Sequence, residues 1–309
     1  MRYGFIGLGN LGRHLAASLL RAGFPLTVND LRREAAEPLL AAGATWAEDP
    51  AALAAKAEAV ITCLPSPASA AAVMTGPKGV LETLGSGGTW IEMSTNDPAE
   101  VQRIAELGKA KGIDTLEAPV TGGVHRAASG LITVLIGGDE AVFAKHRPAF
   151  QAMGGEIFHM GPLGSAAAIK IITNMLAFIH LVSCGEALML AKRGGLDLAQ
   201  AFAAIRASSG NSFVHETEGQ VILNGSYDIG FTLDLAAKDL HFATEMGHRL
   251  GVPLEVARLV EQIFRRAQQQ FGGDAWSPKV VKLLEDALGT ELRAEGFPAR
   301  ITEEPIAGR

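Results

Sequence analysis

The stretch Gly7-Leu8-Gly9-Asn10-Leu11-Gly12 decides how the N-terminal half of this chain folds. It follows the short apolar run Arg2–Ile6, which predicts a strand. It also opens a segment in which Leu11, Leu15 and Leu19 recur every four residues, which predicts an amphipathic helix. A G-x-G-x-x-G pattern between a strand and a helix is typical of a turn that binds a pyrophosphate. The first glycine allows a tight turn, the second lets the backbone approach the phosphates, and the third lets helix and strand pack closely.

Short apolar runs continue to alternate with helical patterns through the first half of the chain. They predict strands at Leu26–Asn29, Ala59–Leu64, Thr89–Met93, Asp114–Ala118 and Thr133–Gly137. Such alternation indicates parallel strands joined by crossover helices. We therefore expect an α/β Rossmann-type N-terminal domain over residues 1–162.

The second half has helical spacing and no clear strand signal. An apolar helix is predicted at about Ile169–Ala191, and Gly194-Gly195 should end it. Later helices are predicted at Asp197–Ala207, Phe213–Asn224, Leu233–Leu250, Leu254–Gln269 and Val280–Ala287. We expect an all-helical C-terminal domain over residues 163–292. The polar, proline-containing stretch 289–309 is expected to be a loose tail, with residues 293–309 outside the domain.

Composition excludes several classes of protein. The net charge is −6 and there is no long basic run, so nucleic acid is not the expected partner. The two cysteines, Cys63 and Cys184, cannot form a disulfide framework, and the N-terminal run is too short and too glycine-rich for a signal peptide. We therefore expect a cytoplasmic protein. No membrane partner is expected either, because Lys170, Asn174, His180 and Glu186 interrupt the most apolar helix.

Acidic and basic residues after the second predicted strand bear on the cofactor. Asp30 ends that strand, at the distance where a carboxylate binds ribose hydroxyls and repels a 2′-phosphate, which favours NAD. Arg32 and Arg33 leave NADP open, because either guanidinium can turn toward a 2′-phosphate. In the alternative interpretation, the glycines only make a turn and Asp30 only caps a loop. Further cofactor contacts are expected where the third and fourth strands end, at Leu64-Pro65 and Ser94-Thr95.

Four segments, in the same order, resemble the β-hydroxyacid dehydrogenases, the family of 3-hydroxyisobutyrate dehydrogenase and tartronate semialdehyde reductase. They are Gly7–Gly12, Glu117–Gly123 (Glu-Ala-Pro-Val-Thr-Gly-Gly), Gly164–Asn174 and Phe231–Leu240. The chain departs from the family pattern at four places. Leu11 stands where methionine is usual, Thr121 where serine is, Ala166 where glycine is and Thr173 where asparagine is.

This resemblance implies an NAD(P)-dependent enzyme that interconverts a short β-hydroxy acid and its carbonyl form. The acid would be 3-hydroxyisobutyrate, glycerate, serine or a related three- or four-carbon compound. A long interdomain helix would carry the catalytic lysine, and the helical domain would build a homodimer or homotetramer. The resemblance does not fix the substrate.

Lys170 and Asn174 are candidate residues for the chemistry. They are four residues apart on a predicted helix and so project from one face. On an apolar helix desolvation lowers the pKa of a lysine, which suits Lys170 for proton transfer as general acid and base. Asn174 would hold the hydroxyl or the carboxylate of the substrate. The alternatives are a lysine that extends to solvent and an exposed asparagine.

A second group of candidates lies in loops and on a later helix. Thr121-Gly122-Gly123 offers a hydroxyl and two neighbouring backbone N–H groups, which suit a carboxylate, unless it is a simple turn. Lys238, by the resemblance, would reach the substrate or the cofactor, whereas the alternative is an ion pair with Asp234. His125 and Arg126 would contact a second polar group of the substrate or lie on the surface.

Two other functions remain open alongside the dehydrogenase. The same fold can support imine reduction, but enzymes of that type generally lack the lysine, so Lys170 argues against it. A non-catalytic nucleotide-binding scaffold is the second, and such relatives typically lose the lysine too. The histidines show no metal-like spacing, so no metal is expected.

Overall fold

The structure, a computed structural model, describes residues 1–302 of the chain. Two compact units account for them, residues 1–170 and residues 171–302. The division falls inside the long helix that begins at Ser165. The predicted domain border at residue 162 therefore stays a prediction.

Nine strands form one sheet in residues 1–170. They are β1 (Tyr3–Ile6), β2 (Leu26–Asn29), β3 (Thr45–Trp46), β4 (Ala59–Thr62), β5 (Thr89–Glu92), β6 (Asp114–Glu117), β7 (Val120–Thr121), β8 (Ile132–Gly138) and β9 (Gly154–Gly161). Six of them are parallel in the order β3-β2-β1-β4-β5-β6, so the strand order reverses between β1 and β4. Ligands of open α/β sheets bind outside the carboxyl ends of the strands at such a reversal.

The register keeps these carboxyl ends level. Ile6 on β1 lies opposite Asn29 on β2 and Thr62 on β4. Thr62 in turn lies opposite Glu92, and Glu92 lies opposite Glu117. The loops that follow these five strands therefore leave the sheet at the same edge.

Helices of the first unit connect the strands and bury apolar side chains against the sheet. They are α1 (Gly12–Arg21), α2 (Glu37–Ala41), α3 (Pro50–Ala54), α4 (Pro67–Thr75), α5 (Val80–Thr83), α6 (Pro98–Lys109), α7 (Gly123–Ala128) and α8 (Glu140–Met153). Three of them begin with proline after a residue whose side chain accepts a backbone N–H, namely Asp49, Ser66 and Asp97. One buried cluster contains Phe5, Leu15 and Phe150. A second contains Val60, Trp90 and Ile104.

The second unit is helical. Its elements are α9 (Ser165–Arg193, which starts in the first unit), α10 (Leu198–Arg206), α11 (Phe213–Asn224), α12 (Leu233–Arg249), α13 (Glu255–Phe271) and α14 (Lys282–Leu288). Phe178, Phe202 and Phe264 belong to its core. By length and composition α9 is able to cross a membrane, but core helices of globular proteins pass the same test. The expected lack of a membrane partner thus stays a prediction.

The expected fold class, a Rossmann-type domain followed by a helical one, is confirmed. Two details of the predicted sheet were wrong. The strand predicted at Thr133–Gly137 is β8, which runs antiparallel to β6. Strands β3, β7 and β9 were missed. Two of these are only two residues long, and β9 is largely exposed, so none has a clear apolar pattern.

The prediction of a loose tail was wrong for residues 289–302. Leu292 is fully buried, and Arg293 forms an ion pair with the buried Glu285. Phe297 packs edge-on against Phe202, and the carbonyl of Phe297 accepts a hydrogen bond from Asn224. The polar composition of this stretch gave no sign of these few buried contacts. Residues 303–309, which the same prediction covered, lie outside the described part of the chain.

Candidate functional site

The glycine loop after β1 has the geometry that a bound pyrophosphate requires. Gly7 has φ +97°, and a Cβ there would lie 2.3 Å from the carbonyl oxygen of Cys63. At Gly12 a Cβ would lie 2.0 Å from the carbonyl oxygen of Gly7, so this position needs glycine for helix α1 to pack against the turn. Gly9 instead faces open space. Within residues 1–302, the N–H groups of Gly9, Leu11 and Gly12 have no acceptor, which suits them to bind an anion at the start of α1.

Asp30 lies at the end of β2 and is bound to this loop. One carboxylate oxygen accepts the N–H of Leu8 at 2.7 Å, and the other accepts the N–H of Arg32 at 2.9 Å. Arg33 stacks over Trp46 with its guanidinium carbon 5.3 Å from the ring centre. It also pairs with Glu48 at 3.3 Å. Asp30 therefore caps its own loop as well as presenting a carboxylate at the sheet edge.

The loops after β4 and β5 are joined by hydrogen bonds. The N–H of Leu64 donates to the hydroxyl of Ser94 at 2.8 Å. The N–H of Ser94 donates to the carboxylate of Glu92 at 2.7 Å. These bonds hold Leu64-Pro65 and Ser94-Thr95, the predicted cofactor contacts, at one edge of the sheet. Sequence reasoning did not identify Glu92, although a charged residue that ends a buried strand was a usable signal.

The segment Thr121-Gly122-Gly123 spans the junction from the end of β7 to the start of α7. Gly122 has φ +119° and Gly123 has φ +87°, conformations that residues with a Cβ rarely adopt. A Cβ on Gly122 would lie 3.0 Å from Cδ of Arg126, and one on Gly123 would lie 2.9 Å from the ring of His125. His125 is buried, so the alternative that placed it on the surface was wrong, and its contact with a substrate stays a prediction. The loop keeps a hydroxyl and closely spaced backbone N–H groups together.

Lys170 lies near the start of α9, and its side chain is 8% exposed. The preceding turn is held by Glu117, the last residue of β6. An oxygen of Glu117 accepts the N–H of Gly164 at 2.8 Å and that of Ala167 at 3.4 Å. Burial raises the pKa of Glu117, and the backbone N–H groups oppose that rise. Glu117 thereby connects the strand that leads to Thr121 with the helix turn that precedes Lys170, a role that sequence reasoning missed.

Asn174 lies one helical turn after Lys170 on α9, as predicted from the spacing. Its side-chain amide donates to Asp239 at 2.6 Å. Asp239 is 1% exposed and also accepts the ammonium of Lys238 at 2.7 Å. The buried carboxylate offsets the poor helix propensity of asparagine and fixes its amide.

The alternative role of Lys238, an ion pair with Asp234, was wrong. Asp234 accepts the side-chain amide of Gln268 at 2.7 Å instead. Lys238 contacts its sequence neighbour Asp239, and its ammonium also lies 4.8 Å from the ring centre of Phe242. Residues i and i+4 of a helix can pair, but a fully buried carboxylate is the stronger partner for the lysine. Residues 1–302 hold no group of three or more His, Cys, Asp or Glu side chains suited to a metal ion.

Comparisons with protein families cover nearly the whole chain. Residues 2–161 match the NAD-binding domain of 6-phosphogluconate dehydrogenase. Residues 164–284 match the NAD-binding domain of NADP-dependent 3-hydroxyisobutyrate dehydrogenase. The two matches follow one another along the chain in the order of the sheet unit and the helical unit.

Individual relatives agree with these matches. The chain is 34% identical over 293 residues to 2-(hydroxymethyl)glutarate dehydrogenase of Eubacterium barkeri, covering 94% of this chain and 97% of that protein. It is 32% identical over 292 residues to NAD-dependent L-serine dehydrogenase of Pseudomonas aeruginosa, covering 92% and 98%. The crystal structure of 3-hydroxyisobutyrate dehydrogenase of Salmonella typhimurium superposes with a TM-score of 0.85 at 30% identity, covering 92% of this chain and 99% of that one.

Proposed function

The chain belongs to the β-hydroxyacid dehydrogenase family, and on this basis we propose that Lys170 acts as general acid and base in oxidising a short β-hydroxy acid. The enzyme is an NAD(P)-dependent oxidoreductase of the hydroxyacid dehydrogenase type. The observation that carries the proposal is the buried Lys170 on a helix turn held by Glu117. Desolvation eases the loss of a proton from an amine, which a general base requires.

Lys170 transfers the proton in both directions of the reaction. In the oxidation, its neutral amine takes the proton of the substrate hydroxyl. In the reduction, its ammonium returns that proton to the oxygen of the semialdehyde or other carbonyl form. When bound, nicotinamide supplies the acceptor or the donor of the hydride. The glycine loop fits the pyrophosphate of such a cofactor, because three of its N–H groups have no acceptor in the described part of the chain and Gly9 faces open space.

The remaining polar groups bind and orient the substrate in this proposal. The hydroxyl of Thr121 and the N–H groups of Gly122 and Gly123 bind its carboxylate. Asn174 binds its hydroxyl or a carboxylate oxygen, with the amide oriented by Asp239. Lys238, whose ammonium pairs with the same buried carboxylate of Asp239, binds the substrate or the cofactor.

We propose NAD as the preferred cofactor, with NADP as a second one. Asp30 supports NAD, because its carboxylate lies beside the loop where the ribose belongs. Arg33 is engaged by Trp46 and Glu48, so Arg32 is the better candidate to contact a 2′-phosphate. Replacing Asp30 by Ala should weaken NAD⁺ binding, measured by titration calorimetry, and replacing Arg32 by Ala should weaken NADP⁺ binding only. Unchanged NAD⁺ affinity in Asp30→Ala would contradict this account.

A substrate panel tests the proposed reaction. Purified protein is given 3-hydroxyisobutyrate, glycerate, L-serine, 2-(hydroxymethyl)glutarate and a cyclic amine, each with NAD⁺ and with NADP⁺, and formation of reduced cofactor is followed. We expect kcat/KM for at least one β-hydroxy acid to exceed that for the amine by a factor of 100 or more. Turnover of the amine alone would favour imine reduction, and cofactor binding without any turnover would favour a scaffold.

We also propose a homodimer or homotetramer that works in the cytoplasm. Exposed apolar side chains on helices of the second unit, among them Leu190, Val256 and Leu259, support self-association. Cys63 and Cys184 are free thiols, which suits a reducing compartment. Light scattering during gel filtration tests the oligomer, and a monomeric mass at micromolar concentration would contradict it.

A further inference from the structure

Glu92 is a buried carboxylate at the edge of the sheet where the cofactor loops begin. It is the last residue of β5 and is 1% exposed. Thr62, its neighbour on β4, donates its hydroxyl to one carboxylate oxygen at 3.1 Å. That hydroxyl accepts the indole N–H of Trp90 at 2.8 Å, so its own proton is directed to Glu92. The amide of Asn96 lies 3.4 Å from the same oxygen.

The other oxygen of Glu92 organises the loops above it. It accepts the N–H of Ser94 at 2.7 Å, and the hydroxyl of Ser94 accepts the N–H of Leu64 at 2.8 Å. The carboxylate thus fixes the chain after β5 directly and the chain after β4 through Ser94. All of these partners donate toward Glu92, an arrangement that matches an anion better than a neutral acid.

A neutral side chain would fill this position at lower cost, because burying a carboxylate away from a basic partner is unfavourable. Within the described residues no Lys, Arg or His forms an ion pair with Glu92. Burial raises the pKa of Glu92, and the hydrogen bonds from Ser94, Thr62 and Asn96 oppose that rise. A cation that binds nearby would favour the ionised form of Glu92, and the ionised carboxylate would in turn strengthen the binding of that cation.

The order of the strands indicates which part of the cofactor lies near Glu92. Asp30, directly after β2, would mark the ribose of the adenosine, and the glycine loop after β1 would mark the pyrophosphate. Since the sheet continues from β1 to β4 and then to β5, the rest of the dinucleotide would extend over the ends of those two strands. The rest is the nicotinamide riboside, whose ring carries a positive charge only in the oxidised cofactor.

We propose that the negative charge of Glu92 strengthens the binding of the oxidised nicotinamide cofactor and leaves the binding of the reduced cofactor nearly unchanged. The inference rests on the proposed function, because it assumes the cofactor site at this edge. It assigns to Glu92 a positioning and electrostatic role, with no direct part in proton transfer. A unit charge acts over several ångströms in a protein interior, so the charge need not touch the ring.

The test compares dissociation constants of the two cofactor forms in Glu92→Gln, which keeps the shape and removes the charge. Titrations of NAD⁺ by calorimetry and of NADH by fluorescence, both without substrate, give the ratio of the two constants. We expect NAD⁺ to bind about tenfold more weakly than in the wild type, with NADH changed by less than about twofold. Glu106→Gln on α6 removes the same charge at an exposed position and should leave both constants unchanged.

The other outcomes are decisive as well. Glu92→Asp keeps the charge on a shorter side chain, so it should weaken both forms equally and keep the wild-type ratio, even if Glu92→Gln fails to fold. An unchanged ratio in Glu92→Gln, or a changed ratio in Glu92→Asp, would overturn the inference while leaving the proposed function intact. Failure of the wild-type protein to bind either form would overturn the proposed function together with the inference.

Discussion

His146 on α8 makes the stability of the sheet unit depend on pH. Its side chain is fully buried, with Nδ1 3.0 Å from the hydroxyl of Tyr3 and Nε2 2.9 Å from the hydroxyl of Thr89. Burial lowers the pKa of His146 from 6.5 to about 4, with a smaller contribution from the charge of Lys145. The imidazole therefore stays neutral in the folded protein at a pH where it is protonated in the unfolded chain.

The sign and size of the effect follow from these two pKa values. Below pH 6.5 the imidazole is protonated in the unfolded state but stays neutral in the folded state, so the free energy of unfolding falls as the pH falls. Each pH unit between the two pKa values costs about 1.4 kcal/mol. The loss from this group reaches roughly 2 kcal/mol at pH 5 and about 3 kcal/mol at pH 4, and it is complete only at a pH well below 4.

Urea unfolding of wild type and His146→Gln at pH 7.5 and pH 5, followed by tryptophan fluorescence, isolates this contribution. Glutamine keeps a donor and an acceptor but does not titrate. We expect the wild type to lose about 2 kcal/mol more than the variant between the two pH values. His248→Gln, at an exposed site on α12, should behave like the wild type. Equal losses in wild type and His146→Gln would refute the reasoning.

Three shorter predictions concern other buried carboxylates and their partners. Glu117→Leu removes the hydrogen-bond acceptor at the start of α9, so it should lower kcat at least tenfold with little change in cofactor affinity. Glu117→Gln keeps an acceptor and should keep most of the activity. Equal kcat in the two variants would contradict this prediction. Asp239→Ala leaves the amide of Asn174 without its acceptor and should lower kcat/KM for the hydroxy acid at least tenfold in steady-state assays; wild-type kinetics would argue against it. Arg293→Ala leaves Glu285 buried without its ion pair and should lower the free energy of unfolding in urea by about 2–4 kcal/mol. A decrease under 0.5 kcal/mol would show that the pair between Arg293 and Glu285 does not stabilise the fold.

The parts of the fold that local pattern determines were predictable from sequence. The strand, glycine loop and helix over residues 2–21 lie in one continuous segment, and helix α11 begins and ends where its apolar spacing predicts. Strand β9 was not predictable, because it gains its place from pairing with β8 and not from a buried apolar face.

Residue type and spacing were enough to propose Lys170 and Asn174 as candidate site residues from the sequence, and their roles stay predictions. The contacts that hold these candidate residues were not predictable, because they join distant parts of the chain. Glu117 reaches Gly164, which is 47 residues away, and Asn174 reaches Asp239, 65 residues away. No local pattern encodes such partners, so only the folded chain shows what holds the candidate acid–base residue in place.

The most direct test of the account is turnover by Lys170→Ala with the best hydroxy acid of the substrate panel. Lys192→Ala, near the end of the same helix, is the matched control because it removes an exposed lysine. We expect kcat of Lys170→Ala to fall by a factor of about 1,000 or more and its NAD⁺ affinity to stay within about threefold of wild type, while the control is unaffected. Near-normal kcat in Lys170→Ala would contradict the assignment of Lys170 as general acid and base.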